Sequence, residues 1–134
     1  MTIWSDEVEA VVRQALAQVT PAEPNREHLG RPFVTVYQLA LRVDRIYPQL
    51  AKQLKVPVGG EGIGRHYSLA VYLANQLSRR IKERGAKYGI EGAQLSSTNI
   101  AAMSFRERGG EIMRSSMISA GLDTTMFRLR ADAG

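Results

Sequence analysis

The residues best suited to chemistry lie around a glycine-rich loop that spans Gly59 to Gly64. Glu61 lies in this loop, and His66 and Tyr67 follow it closely. Histidine titrates near neutral pH, so this group could supply an acid–base pair. Charged loops beside helix starts also occur in many proteins without activity. The sequence therefore favours a non-enzymatic role, with an enzyme built on this loop as an alternative.

The same loop has features of an anion-binding site. Backbone N–H groups of Gly60, Gly62 and Gly64, together with Arg65 and His66, would lie at the predicted start of a helix, where the helix dipole favours negative charge. The spacing matches neither the phosphate-loop pattern nor Gly-x-Gly-x-x-Gly, and no βαβ pattern surrounds it. Binding of a small anionic ligand or nucleotide is therefore one hypothesis, and a mobile inter-helix loop is the other.

Other residue types that carry chemistry are sparse. The chain has no Cys, which excludes thiolate catalysis and Cys-based zinc sites and fits a reducing compartment. Neither His28 nor His66 has a partner at metal-ligand spacing. We therefore predict no catalytic residue, no metal and no cofactor.

The helix after the loop gives the strongest secondary-structure signal. One face carries apolar residues at three- and four-residue spacing, namely Leu69, Ala70, Leu73, Leu77 and Ile81. This pattern predicts a helix from Arg65 to about Arg84. Gly85 then suits a left-handed end.

The far end of this helix is basic. The sequence predicts that its cations lie clear of the apolar stripe, in solvent, and that the next aromatic residue stacks on a base. The predicted nucleic-acid-binding residues are Arg79, Arg80, Lys82, Arg84, Lys87 and Tyr88. The alternative is that the cations only stabilise the helix terminus and that the tyrosine only covers it.

The distribution of charge supports an anionic partner. Residues 1–64 carry seven Lys/Arg and seven Asp/Glu, whereas residues 65–134 carry eleven and six, so the whole net charge of +5 lies in the second half. Further cations could extend the basic patch. They are Arg65, Arg106, Arg108, Arg128 and Arg130.

The first half of the chain predicts helices in a single domain of residues 1–134. Ser5 suits a helix N-cap, and residues 1–20 could form a protruding helix that reaches a second copy of the protein. Residues 20–33 have the composition of a linker loop. Thr35 and Gln38 form a predicted capping box for a second helix, and Pro48 suggests a break before a short helix through Leu54.

This order of helices resembles a helix-turn-helix module, in which the last helix enters the major groove. The linker of residues 55–64 is longer than the usual turn. Ser97 or Thr98 suits the cap of a further helix that would stop at Gly109-Gly110. Residues 100–105 are equally a candidate for the first strand of a hairpin, with residues 106–110 as its turn and residues 111–118 as its return, resembling the wing of a winged helix. Residues 88–95 suit a short strand or an irregular segment. In residues 126–130, one face should pack while Arg128 and Arg130 face water.

Together these patterns predict a mainly α fold of about four to five helices with a possible small C-terminal β-hairpin or wing. The first functional hypothesis is a nucleic-acid-binding or regulatory domain, and the second is a protein-interaction or assembly module for another subunit or a second copy. With no signal peptide and no apolar run long enough to span a membrane, we expect a cytoplasmic protein without a membrane partner.

Overall fold

The structure, a computed structural model, describes residues 3–59, 68–107 and 110–131. Its α-helices are α1 (Asp6–Ala17), α2 (Val36–Ile46), α3 (Gln49–Leu54), α4 (Leu69–Arg84) and α5 (Ser116–Ser119). Its strands are β1 (Val34–Thr35), β2 (Ile90–Leu95), β3 (Ser104–Arg106), β4 (Ile112–Arg114) and β5 (Thr124–Leu129). Two 3-10 segments cover Pro24–Leu29 and Gly85–Tyr88.

The strands form two antiparallel sheets. The first has the order β1-β5-β2, with Val34 opposite Phe127 and Ile90 opposite Leu129. The second is the β3–β4 hairpin, in which Phe105 lies opposite Met113. The predicted mainly α fold is therefore wrong, because the chain combines helices with antiparallel sheets. The segment of residues 88–95 contributes β2, which was one of its two predicted forms.

The core lies between the helices and one face of the three-stranded sheet. Ile90, Phe127 and Leu129 are buried on that face, where α1 and α2 contact β5 and α4 contacts β2. The opposite face carries Glu91 and Arg128, which occupy paired positions in β2 and β5. This alternation follows from the two-residue period of a strand.

Helix α1 packs into this core. Ser5 is its N-cap, as predicted, and the Ser5 Oγ accepts a hydrogen bond from the Val8 N–H. Trp4 and the apolar face of α1 are buried, and the helix packs against α2 and β5. Helix α1 therefore does not protrude. The linker that follows is not wholly irregular, because it includes the 3-10 segment Pro24–Leu29.

Local signals account for α2 and α3. The predicted capping box is present: the Thr35 N–H donates to Gln38 Oε1 at 2.7 Å, and the Gln38 N–H donates to Thr35 Oγ1 at 3.2 Å. The break at Pro48 and the short helix that ends at Leu54 are also confirmed.

Helix α4 begins with a serine cap. Its N-cap is Ser68, whose Oγ accepts from the Val71 N–H at 3.1 Å. The described helix therefore starts at Leu69, and the predicted start at Arg65 lies outside the described residues. The helix ends at Arg84 as expected, and Gly85 follows with a φ of 58°. A positive φ at this position favours glycine.

The helix predicted to follow a cap at Ser97 or Thr98 is wrong, and the alternative hairpin is present as β3–β4. The hairpin is attached to α2 through Tyr37, whose ring stacks on Phe105 with centroids 5.4 Å apart. The Tyr37 hydroxyl also accepts a hydrogen bond from the Met117 N–H at 3.1 Å and shares one with Ser116 Oγ at 2.9 Å. These distant contacts favour a strand that can cover Tyr37 over a local helix.

Candidate nucleic-acid interface

The exposed side of α4 carries polar and basic residues that we call the α4 outer face. It consists of Asn75, Ser78, Arg79 and Lys82, all exposed. At 100° per residue these positions lie opposite Leu69, Leu73 and Leu77, which are fully buried. The helix is thus held by its apolar side and presents this face to solvent. Glu83, beside Arg79, is also exposed.

Two more cations extend the α4 outer face at the end of the helix. Arg84 and Lys87 are exposed, and the Arg84 guanidinium carbon lies 5.4 Å from the centroid of the Tyr88 ring. Within the described residues, none of Arg79, Lys82, Arg84 and Lys87 forms a salt bridge. Their charges therefore remain available to an anionic partner.

Arg80 points to the other side of the helix. Its guanidinium carbon lies 4.4 Å from the centroid of Trp4, its Nε lies 3.8 Å from Glu9 Oε1, and its side chain is 19% exposed. Its Nη1 also donates to the Gln76 Oε1 at 2.7 Å. Arg80 thus joins α4 to the start of α1, and it is separated from the cations that the sequence grouped with it. Its position three residues after Leu77 and seven after Leu73 is the signal that could have revealed this.

Tyr88 is buried, with 3% of its surface exposed. Its hydroxyl donates to Glu9 Oε1 at 2.8 Å, and the guanidinium carbon of Arg13 lies 5.1 Å from its ring centroid. Burial and the hydrogen bond to Glu9 raise the pKa of Tyr88 far above its usual value of 10.0. The ring is occupied within the protein, which leaves no open face for a stacked base.

Glu9 links these side chains. Burial acts to raise the pKa of Glu9, but hydrogen bonds from Tyr88 and Arg13 and the charge of Arg13 outweigh burial, so this pKa lies below 4.5. Glu9 is therefore held as a carboxylate between α1, α4 and Tyr88. This cluster is nonlocal in sequence and fixes the orientation of the basic end of α4.

The start of α4 does not offer the free N–H groups that the anion-binding hypothesis needs. The Leu69 N–H donates to the Pro57 carbonyl at 2.8 Å, and the Ala70 N–H donates to the Val58 carbonyl at 3.0 Å. Because the Val71 N–H donates to Ser68 Oγ, all three groups are occupied. The predicted anion-binding residues, Gly60, Gly62, Gly64, Arg65 and His66, lie outside the described residues.

The possible extensions of the basic patch do not form one surface. Arg128 Nε donates to Glu91 Oε2 at 2.7 Å, and its guanidinium carbon lies 4.2 Å from the centroid of Phe33. Arg130 Nη1 lies 3.6 Å from Glu91 Oε1, so these two arginines do not simply face water as predicted. Arg106 is exposed on the hairpin, and Arg65 and Arg108 lie outside the described residues.

Residues 3–59, 68–107 and 110–131 contain no group of three or more His, Cys, Asp or Glu side chains that could hold a metal ion. Across those same ranges, no helix is both long enough and apolar enough to cross a membrane.

Comparisons with known proteins give no relative for this chain: no family model, no curated protein and no solved structure matches it. The α4 outer face is therefore interpreted from its own chemistry.

Proposed function

We propose that the protein is a nucleic-acid-binding domain that uses the α4 outer face. The observation that carries the proposal is the exposure of Arg79 and Lys82 opposite a fully buried stripe, without a salt bridge to another described residue. Cations held in this way can replace the counterions of a phosphate backbone. With 16 residues, α4 is about 24 Å long at 1.5 Å per residue, enough to follow one side of a major groove.

The order of elements also supports this proposal. The chain runs from β1 through α2, α3 and α4 to β2, and a connection that contains the β3–β4 hairpin then leads to β5. In the sheet, β5 lies between β1 and β2. This order resembles a winged helix, with α4 as the helix that enters the groove and β3–β4 within the wing. Likeness of order alone does not assign a function, so the chemistry of α4 carries the proposal.

The α4 outer face also holds side chains of the types that read bases. Asn75 and Arg79 are four residues apart and share one side of the helix. Asparagine forms two hydrogen bonds with adenine and arginine forms two with guanine in the major groove. Asn75 was not among the nucleic-acid-binding residues predicted from the sequence, although the helical period places it beside Arg79. We expect Asn75 and Arg79 to contact base edges, and Lys82, Arg84 and Lys87 to contact phosphates.

A fluorescence-anisotropy titration tests this function. The protein is titrated into labelled 20-base-pair duplexes of mixed sequence and into single strands of the same length, at about 50 and about 200 mM salt. We expect saturable binding to duplex that weakens steeply at the higher salt. Absence of binding to every oligonucleotide at the lower salt would end the proposal.

Assembly with another protein is a second candidate, favoured by one observation. Leu29 is 58% exposed beside a cleft of about 590 Å³ that Pro21 and Phe33 also line. The apolar face of α1, the helix that the sequence predicted could reach a second copy, is buried within the chain and is therefore already occupied. Light scattering over a range of concentrations, with Leu29→Ser as the variant, tests this candidate. A monomer at every concentration would count against self-assembly.

A further inference from the structure

A separate group of cations lies in a cleft between α2 and the hairpin. The cleft has a volume of about 360 Å³, which is within the range of small-molecule sites. We call it the arginine cleft. Its lining includes Gln38, Leu41, Arg42, Arg45, Phe105 and Arg106.

Three arginines line the arginine cleft from two elements. Arg42 and Arg45 are three residues apart and lie on one side of α2, whereas Arg106 comes from β3. Within the described residues, none of these three arginine side chains forms a hydrogen bond or a salt bridge. Like charges gathered in one cleft repel one another, and a bound anion would remove that repulsion.

The surrounding contacts hold this arrangement in place. Stacking of Phe105 on Tyr37 fixes β3 against α2, and pairing of Arg106 with Ile112 fixes its register. Gln38 Oε1 accepts from the Thr35 N–H, so the Gln38 NH₂ group remains as a neutral donor. Arginine side chains bind phosphate oxygens through paired N–H groups.

Carboxylates next to the arginine cleft limit what it can bind. A neighbouring cleft of about 450 Å³ shares Arg45 and Arg106 and is also lined by Asp44, Glu107 and Glu111. Burial, followed by the nearby charges of Glu111 and Asp44, raises the pKa of Glu107. A chain of phosphates that entered both clefts would meet these carboxylates. A single phosphate on a small organic body avoids that repulsion, and its hydroxyl groups can donate to the carboxylates.

The arginine cleft is also separate from the α4 outer face. Helix α2 packs against α4 and the sheet, and its buried residues include Leu39, Ala40 and Val43. At 100° per residue, Arg42 and Arg45 lie on the opposite side of α2. The two basic surfaces thus lie on the sides of α2 and α4 that face away from their shared core.

We propose that the arginine cleft binds the phosphate group of a small phosphate ester. Arg42, Arg45 and Arg106 hold the phosphate oxygens, and Leu41 and Phe105 form the apolar wall for the organic body. This site is additional to nucleic-acid binding, and each can exist without the other.

Isothermal titration calorimetry with ribose 5-phosphate tests the proposal, with ribose as the matched probe that lacks the phosphate. We expect one binding site for ribose 5-phosphate and none for ribose. Arg42→Gln with Arg106→Gln should weaken binding by about ten-fold or more, because each loses a charged paired donor. The control variant, Arg79→Gln with Lys82→Gln, also removes two positive charges, but from the α4 outer face. It should leave the affinity for ribose 5-phosphate unchanged. Circular dichroism verifies that both variants are folded.

Three outcomes would overturn the proposal: no binding of ribose 5-phosphate, equal binding of ribose, or equal weakening in both variants. Competition with a labelled duplex provides one more test. If ribose 5-phosphate displaces the duplex and the Arg42 and Arg106 changes abolish duplex binding, the cleft is part of a nucleic-acid surface and the proposal is wrong. If duplex binding is absent in all forms, the function proposed for α4 fails while ribose 5-phosphate binding still tests the cleft.

Discussion

The guanidinium carbon of Arg80 lies 4.4 Å from the centroid of the Trp4 ring, whereas its neighbour Arg79 is exposed. One step of 100° along α4 therefore separates a cation that holds the fold together from one that is available for binding. The difference divides the basic run of α4 into structural and candidate functional residues.

Arg80→Ala should lower the free energy of unfolding by about 1 to 3 kcal/mol, because it removes the contact with Trp4 and an ion pair to the partly buried Glu9. Arg79→Ala is the matched control and should change it by less than about 0.5 kcal/mol. Urea unfolding monitored by circular dichroism measures both. Equal stabilities of the two variants would contradict the structural role of Arg80.

Glu9→Gln should reduce stability most at neutral pH. The pKa of Glu9 is lowered in the folded protein relative to 4.5, so its contribution is present above that pH and is lost as the pH falls through the folded-state pKa. Because hydrogen bonds to a charged group are lost, the free energy of unfolding at neutral pH should fall by about 1.5 to 3 kcal/mol. The difference in Tm between the wild type and the variant should narrow below pH 4.5. A difference that stays constant from neutral to acidic pH would show that the charge of Glu9 is not responsible.

Tyr37→Phe should loosen the hairpin. The change retains the ring that stacks on Phe105 but removes the hydroxyl that accepts from the Met117 N–H, at a cost of about 1 to 2 kcal/mol. Amide hydrogen exchange should become faster in β3, β4 and α5. Tyr47→Phe is the control, because the Tyr47 hydroxyl makes no hydrogen bond within the described residues. Unchanged exchange in Tyr37→Phe would indicate that stacking alone holds the hairpin.

Local signals in the sequence were sufficient for α1, α2 and α3, because caps and apolar periodicity specify them over a few residues. Ser5 and the pair Thr35 and Gln38 are examples. Ser68 is a cap of the same kind, but the apolar stripe was extended past it to Arg65. The 100° period of the helix also places Arg80 on the buried side of α4. The sequence analysis missed this position because it grouped the cations by their nearness in sequence.

The sheet and the environment of Tyr88 could not be predicted in the same way. Strand β1 has only two residues, and Val34 in it pairs with Phe127, which is more than 90 positions away. No local sequence pattern therefore predicts this pairing. Tyr88 is buried because Glu9 and Arg13 of α1 fold against it. The presence of Arg42, Arg45 and Arg106 at one cleft likewise depends on where the hairpin packs against α2.

The most direct test of the central claim is the salt dependence of duplex binding for Arg79→Gln with Lys82→Gln. If these side chains contact phosphates or bases, affinity should fall by about ten-fold or more, which is about 1.4 kcal/mol or more. The slope of log affinity against log salt should become shallower by about 0.9 for each of the contacts that is made to a phosphate. Arg42→Gln with Arg106→Gln loses the same charge from the arginine cleft and should retain wild-type affinity and slope. Equal losses in the two variants, or no loss in either, would contradict binding through the α4 outer face.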